Sequence, residues 1–306
     1  MTNTSLPFAQ YDAFTDSLFG GSQGGIVMNA GDLSADTRQA IANELGLPAT
    51  CFVSAVTSNS VTARFHSTER EHPMCGHGTI CLMSHLLNIG LLQLEEGQRL
   101  EVDLILPTTT ARVEILHQPN NLPLVMLDIK PPIFRANTTN INALSLLFNL
   151  TENDFATPHS IETALGDFTH LIVPINTLTA IQSIKPDFSA ITAYCKDNGI
   201  ETIACFSTDT ENADADFHVR DFCPAVGVPE SAAAGTTNAA LASYLLRHGI
   251  IKDNGTGEIH IKVEQGLELG RPSTIYTSIE LDGAKIIRLQ VGGVARKVLE
   301  GQLEIS

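Results

Sequence analysis

Met74-Cys75-Gly76-His77-Gly78-Thr79 is the stretch on which the reading of this chain turns. A thiol and an imidazole stand two residues apart among glycines, and an amphipathic segment follows at once. The pattern recurs 159 residues further on. At that offset Cys75-Gly76-His77-Gly78-Thr79 lies over Ala234-Gly235-Thr236-Thr237-Asn238. Leu82, Ser84, Leu86 and Leu87 meet Leu241, Ser243, Leu245 and Leu246, and Gly90 meets Gly249. Two copies of a glycine loop followed by a helix predict two similar halves, with their equivalent loops on either side of one cleft.

Around these loops the chain reads as β-rich α+β, built twice. Strands are predicted at 8–14 and 25–29, a helix from Ser34 or Asp36 to about Leu45 that Pro48 ends, and a strand pair at 51–56 and 61–66. The loop of residues 67–78 delivers Cys75 and His77 to a helix that runs to about Asn88 and stops at Gly90. Strands follow at 99–105 and 111–117, and Asn120-Asn121-Leu122-Pro123 is the linker candidate. The first lobe therefore spans 1–118, joined by 292–306, and the second 119–291. In the second, helices are predicted at 141–149, 160–165, 186–197 and 238–247. Strands are predicted at 169–174, 201–206, 215–222, 259–264, 273–281 and 285–291, with a last one at 294–304.

The 306 residues carry a net charge of −16, with 43% hydrophobic and 17% charged residues. That length holds two cored lobes, and that composition is globular. No basic run exists to meet phosphate, so nucleic acid is not an expected partner. Met1 to Gln10 lacks the basic start and apolar core of a secretion signal, and no apolar run approaches the roughly 18 residues of a membrane span. The six cysteines include no CxxC pair, which suits reduced thiols in a cytoplasmic chain. Asn137-Thr138-Thr139 fits a glycosylation sequon that carries no weight without secretion.

A cysteine at a helix start feels the positive end of the dipole and unpaired amides, and both lower its pKa. A thiolate there, facing a carboxylate held by those amides, is placed to take a proton from the neighbouring carbon. The alternative is a buried small hydrophobe. His77, between glycines, is read as the proton carrier or carboxylate ligand, against a helix-capping role. His66, His72, Cys75 and His77 match no standard zinc spacing, so no metal is expected. In the second loop Ser231, Thr236 and the amides of Gly235 to Thr237 form an anion site by the same physics. Glu230 is the only ionisable side chain there, either an acid/base or a solvated carboxylate. Arg220 and Asp221 read as a structural ion pair or as part of the site.

These residues resemble the phenazine-biosynthesis PhzF family of the diaminopimelate-epimerase-like fold. The resemblance runs through Tyr11-Asp12-Ala13-Phe14-Thr15, Glu71-His72-Pro73-Met74-Cys75-Gly76-His77, Val219-Arg220-Asp221-Phe222-Cys223-Pro224, Glu264-Gln265-Gly266 and Val291-Gly292-Gly293. It implies two pseudo-symmetric lobes, each a curled sheet around a central helix, with no cofactor and a homodimer. It implies isomerisation or epimerisation by moving protons beside a carboxylate. Ala49 stands where the family carries a catalytic glutamate, Ser231 where it carries an aspartate, and Thr236 where it carries a serine. Met74 to Thr79 is also similar to the first-cysteine motif of proline racemases and hydroxyproline epimerases, some of which have serine or threonine for the second cysteine. The resulting expectation is an isomerase of a small carboxylic acid. Cys75, His77 and Ser231 would be catalytic, and Gly76, Gly78, Thr79, Glu230, Gly235, Thr236 and Thr237 would bind substrate. A lyase or dehydratase on the same site, and a binding protein without turnover, stay open.

Overall fold

The computed structural model describes residues 4–119, 121–136, 140–156 and 159–305. Asn120 of the expected linker and the Asn137-Thr138-Thr139 sequon lie outside them. The chain forms two compact units, Met1–Asp128 with Gly292–Ser306, and Ile129–Val291.

The first unit contains β1 (Thr4–Ala13), β2 (Ser22–Val27), α1 (Ala35–Leu45), β3 (Ala49–Val56), β4 (Ser60–His66), β5 (Glu71–His72), α2 (Gly76–Asn88), β6 (Arg99–Ile105), β7 (Thr110–Leu116) and β8 (Leu124–Asp128). The final strand, Ala295–Ile305, runs antiparallel to β1, with a bulge at Gln10/Tyr11. β2 and β3 are parallel, as are β4 and β6; β3–β4, β6–β7 and β7–β8 are antiparallel. β8 follows the expected linker yet pairs with β7, so the first unit runs to Asp128 rather than to 118. Ser34 caps α1 by accepting the Thr37 amide at 3.1 Å, and the helix ends at Gly46 (φ 63°), two residues before Pro48.

Every residue of α2 from Gly78 to Leu86 is buried. β1, β2, β3, β8 and the final strand pack around it. A helix apolar on all sides belongs in the middle of a sheet that curls about it. Gly76 and Gly78 weaken the helix by propensity. Burial of Ile80, Leu82, Met83 and Leu86, at ~1.5–3 kcal/mol per side chain, outweighs that.

The second unit contains β9 (Ile133–Ala136), α3 (Ile141–Phe148), β10 (Glu162–Leu165), β11 (Thr169–Pro174), α4 (Leu178–Ser183), α5 (Phe188–Asn198), β12 (Thr202–Ser207), β13 (Phe217–Phe222), β14 (Glu230–Ser231), α6 (Gly235–Arg247), β15 (Glu258–Gln265), β16 (Ser273–Asp282) and β17 (Lys285–Gly293). β10 is a strand where a helix is expected over 160–165. It pairs with β9 on one side and β11 on the other, and that two-sided pairing overrides local preference. β11 is parallel to β12, and β13 to β15. α3, α4 and α5 add a layer whose core joins Leu144, Phe148, Ile181, Ile191 and Cys195 to Phe222 of the sheet.

α6 is buried from Thr237 to Leu245 and occupies the central place that α2 has in the first unit. Both ends of α6 stand 159 residues beyond those of α2, and β14 stands 159 beyond β5. The helix starts agree in detail. Thr79 Oγ1 donates to the Cys75 carbonyl at 2.8 Å, and Asn238 Nδ2, its counterpart, donates to the Ala234 carbonyl at 2.9 Å.

Candidate functional site

Cys75 is the N-cap residue of α2, and no side chain caps the helix. The amides of its first turn therefore lack helical partners. Those of His77 and Gly78 lie against the Cys75 sulfur. Gly78 permits this closeness, since a Cβ there would stand 2.9 Å from the buried Phe65 ring and 3.3 Å from the sulfur. Nothing crowds Gly76. The Cys75 sulfur lies 3.5 Å from His77 Nδ1 and 3.7 Å from Nε2, nearly equidistant from the two ring nitrogens.

The ionisation of this pair differs from the sequence expectation. Burial pushes the Cys75 thiol up to about 11, against the downward pull of the Gly78 and His77 amides. Desolvation of the thiolate outweighs the helix start. Burial, with a smaller contribution from His72, lowers His77 to about 4. At neutral pH the pair is a thiol and a neutral imidazole, each with one exchangeable proton. Thr79, expected to bind substrate, is wholly buried and its hydroxyl is committed to the Cys75 carbonyl. His66 and His72 do not join Cys75 and His77, because Gln39 and Ser67 engage them. Ala49 is buried on β3 and brings no carboxylate.

In the second unit the loop of residues 230–234 is fastened from three sides. Gln265 Nε2 donates to the Ser231 carbonyl at 2.8 Å, Ser273 Oγ to that of Ala232 at 2.7 Å, and Asn238 to that of Ala234. Ser231 Oγ donates to the Ala233 carbonyl at 3.2 Å. Thr236 is half-buried, and its hydroxyl has no hydrogen-bond partner among the described residues. The start of α6 is uncapped by any side chain, leaving the amides of Gly235, Thr236 and Thr237 as donors.

Glu230 is not a solvated carboxylate. Arg220 grips it with two bonds of 2.9 Å, and the two side chains are 4% and 6% exposed. Arg220 also donates to the Ile181 and Ile184 carbonyls, and its guanidinium lies over Phe222. The ion pair expected between neighbours Arg220 and Asp221 is therefore Arg220–Glu230. Successive strand residues point to opposite faces, which separates Asp221 from Arg220.

Asp221 instead lies under the start of α6. Thr237, expected at the substrate, turns its hydroxyl inward and donates to Asp221 Oδ2 at 2.9 Å. Burial raises the Asp221 carboxyl to about 6 although the Thr237 and Thr202 hydroxyls pull it down. His170 Nδ1 lies 2.7 Å from Thr202 Oγ1 and 3.4 Å from Thr237 Oγ1. A second buried group is His218, with Nδ1 2.7 Å from Glu264 and Nε2 2.8 Å from Glu268. Burial alone would lower this imidazole, but the two carboxylates hold it above its ordinary range. No alternation marked His170, His218 or Asp221, because β13 is buried throughout and β11 from His170 onward. His218 and Asp221, three residues apart, face opposite sides of β13.

The sequence profile of phenazine biosynthesis-like proteins, PhzC–PhzF, matches residues 11–301. The chain belongs to this family. Among PhzF relatives, trans-2,3-dihydro-3-hydroxyanthranilate isomerase of Pseudomonas chlororaphis is 29% identical over 288 residues, 92% of this chain and 93% of that one. The uncharacterised isomerase YddE of Escherichia coli O157:H7 is 27% identical over 287 residues, 93% of each chain. The crystal structure of a PhzF-family protein from Bacillus anthracis shares the fold with a TM-score of 0.88 at 23% identity, over 99% of this chain and 100% of that one. A hydroxyproline epimerase from Agrobacterium vitis shares it at a TM-score of 0.59 and 9% identity, over 98% of this chain and 93% of that one. The PhzF family is thus one of isomerases with an epimerase-like fold. Among the described residues no helix is long and apolar enough to cross a membrane.

Proposed function

We propose that this PhzF-family chain is a cofactor-independent isomerase or epimerase that relocates a proton beside the carboxylate of a small organic acid, with Cys75 and His77 as the proton-handling pair. The observation that carries the proposal is the 3.5 Å approach of the Cys75 sulfur to His77 at an uncapped helix start. The positive end of the helix dipole favours a carboxylate there, and the enolate-like charge that grows from it. A neutral resting pair suits an anionic substrate, since a standing thiolate would repel it.

The step balances within the pair. His77 takes the thiol proton, and the sulfur takes the proton from substrate carbon, leaving the electron pair delocalised toward the carboxylate. Imidazolium then returns a proton to carbon at the new position or on the new face. By the same repeat, Ser231, Thr236 and the amides at the start of α6 offer a carboxylate an anion site within the second unit. Glu230 is left out of that assignment because Arg220 holds both its oxygens. Homodimer assembly belongs to the same proposal.

The test is deuterium wash-in from heavy water into a panel of small carboxylic acids. The panel begins with trans-2,3-dihydro-3-hydroxyanthranilate, named for the Pseudomonas relative. Wild type is expected to exchange at least one acid, and Cys75→Ala to lose a factor of ~10²–10⁴. Near-normal exchange in Cys75→Ala would end the assignment. The raised Cys75 thiol favours a second reading, in which the loop binds a carboxylate without turnover. Binding with no exchange in wild type would select it.

A further inference from the structure

His170 sits on β11 beside its register partner Thr202 on β12, at the start of α6. It is 2% exposed, and burial keeps it neutral at pH 7. A neutral imidazole carries one proton, and its neighbours decide which nitrogen holds it. Thr237 has a single hydroxyl proton and gives it to Asp221 Oδ2. Toward His170 Nδ1 the Thr237 oxygen is therefore an acceptor, and so is Thr202 Oγ1 at 2.7 Å, whose own hydroxyl is drawn to the Asp221 carboxylate. Both demand a proton on Nδ1, which leaves Nε2 with its lone pair. Nε2 makes no hydrogen bond among the described residues, and it is absent from the fully enclosed polar atoms that lack partners. His170 lines a pocket of the second unit with Lys130, Asp167, Phe168, Thr236 and Ala239.

We propose that His170 Nε2 is a general base in this pocket, taking a proton from a hydroxyl or ammonium group of the bound acid and returning it to the same atom as turnover closes, a transfer separate from the carbon proton carried by Cys75 and His77; Asp221 and Thr237 are positioning residues that set its tautomer. A small acid would sit at the mouth of this shallow pocket, offering Nε2 a proton or hydrogen bond while Lys130 meets its negative charge; Asp167, also on the wall, disfavours a dianion. Asp221 is buried, and its carboxylate draws the Thr237 and Thr202 hydroxyl protons to itself and away from His170. The use of this base rests on the proton-transfer function proposed above, but the tautomer stands on the geometry of the second unit alone.

The experiment is ¹⁵N NMR of histidine-labelled protein at pH 7.5, with the His170 resonances assigned by their loss in His170→Gln. Wild type should show a protonated Nδ1 and a bare Nε2. Asp221→Asn should move the proton to Nε2, because an amide can donate to Thr237 and turn the hydroxyl proton toward Nδ1. Thr237→Ser should keep the wild-type tautomer, as should Thr237→Val, where Thr202 still accepts from Nδ1 at 2.7 Å; the Thr202→Val/Thr237→Val double variant should lose it. A proton on Nε2 in wild type, or no change in Asp221→Asn, would overturn the positioning argument. In the heavy-water assay His170→Gln should lower kcat by ~10²–10⁴ with KM changed less. Full activity in His170→Gln beside an inactive Cys75→Ala would overturn the base assignment and leave the proposed function standing. A wild type inert to every acid would overturn both.

Discussion

Replacing Glu230 with Gln separates a structural carboxylate from a substrate ligand. The perturbation strands the Arg220 guanidinium, which is 6% exposed and held by two bonds of 2.9 Å. With charge centres ~4 Å apart, the attraction is ~4 kcal/mol at an effective dielectric of ~20. Removing one partner of a buried pair costs ~3–5 kcal/mol, chiefly because the other charge stays buried without compensation. Here the low end applies, since Gln keeps an acceptor oxygen and Arg220 keeps the Ile181 and Ile184 carbonyls. At ~2–4 °C per kcal/mol for a unit of this size, a loss of ~3 kcal/mol lowers Tm by ~6–12 °C. Calorimetry and urea denaturation on wild type, Glu230→Gln, Arg220→Met and the Arg220→Met/Glu230→Leu double variant measure it. The double variant should recover most of the loss, because neither charge is stranded. A Glu230→Gln protein of unchanged Tm but raised KM would refute this reasoning and return Glu230 to the substrate.

The His218 clamp sets a pH window. Its raised imidazole stabilises fully below the ordinary 6.5 and loses that contribution as pH rises through the folded value. Glu264 and Glu268, held below 4.5 by hydrogen bonds that outweigh burial, stabilise above 4.5 and lose that contribution as pH falls. Urea midpoints should therefore decline on both sides of about pH 5–6, and His218→Gln should remove the alkaline decline; matching alkaline limbs in the two proteins would discard the clamp. Gly78→Ala should cost ~1–3 kcal/mol, because the new methyl meets the buried Phe65 ring. Denaturation reads that cost, and a neutral result would mean that the first turn of α2 relaxes freely.

Much of the fold was legible because the sequence repeat and the period-2 and period-3.6 patterns agreed. Ser34 was visible as a cap, and α2 and α6 as helices behind glycine loops, although α2 was read as amphipathic and is buried along most of its length. β10 was misread because Ser160 to Leu165 has no decisive period, and only pairing with two neighbours makes it a strand. β5 and β14 are two residues long, too short for any pattern. At the site, Cys75 and His77 were found by residue type and spacing. Their protonation was misjudged, because the expectation weighed the helix dipole and could not weigh desolvation. Thr79, Thr237 and Glu230 were placed at the substrate because their polarity was visible and their partners were not. Cys75 carbonyl, Asp221 and Arg220 are those partners, and each engagement depends on the direction of a side chain.

The duplicated helix start has an engineering consequence. Cys75 caps α2 at φ −143°, ψ 114°, and Ala234 caps α6 at φ −134°, ψ 111°. The backbone that carries the thiol in one copy is thus already laid down in the other, with a methyl group in the thiol's place. A two-thiol descendant lies one side chain away and asks for no new loop. The two copies differ in the side chains hung from a shared frame, so either serves as the template for rebuilding its twin.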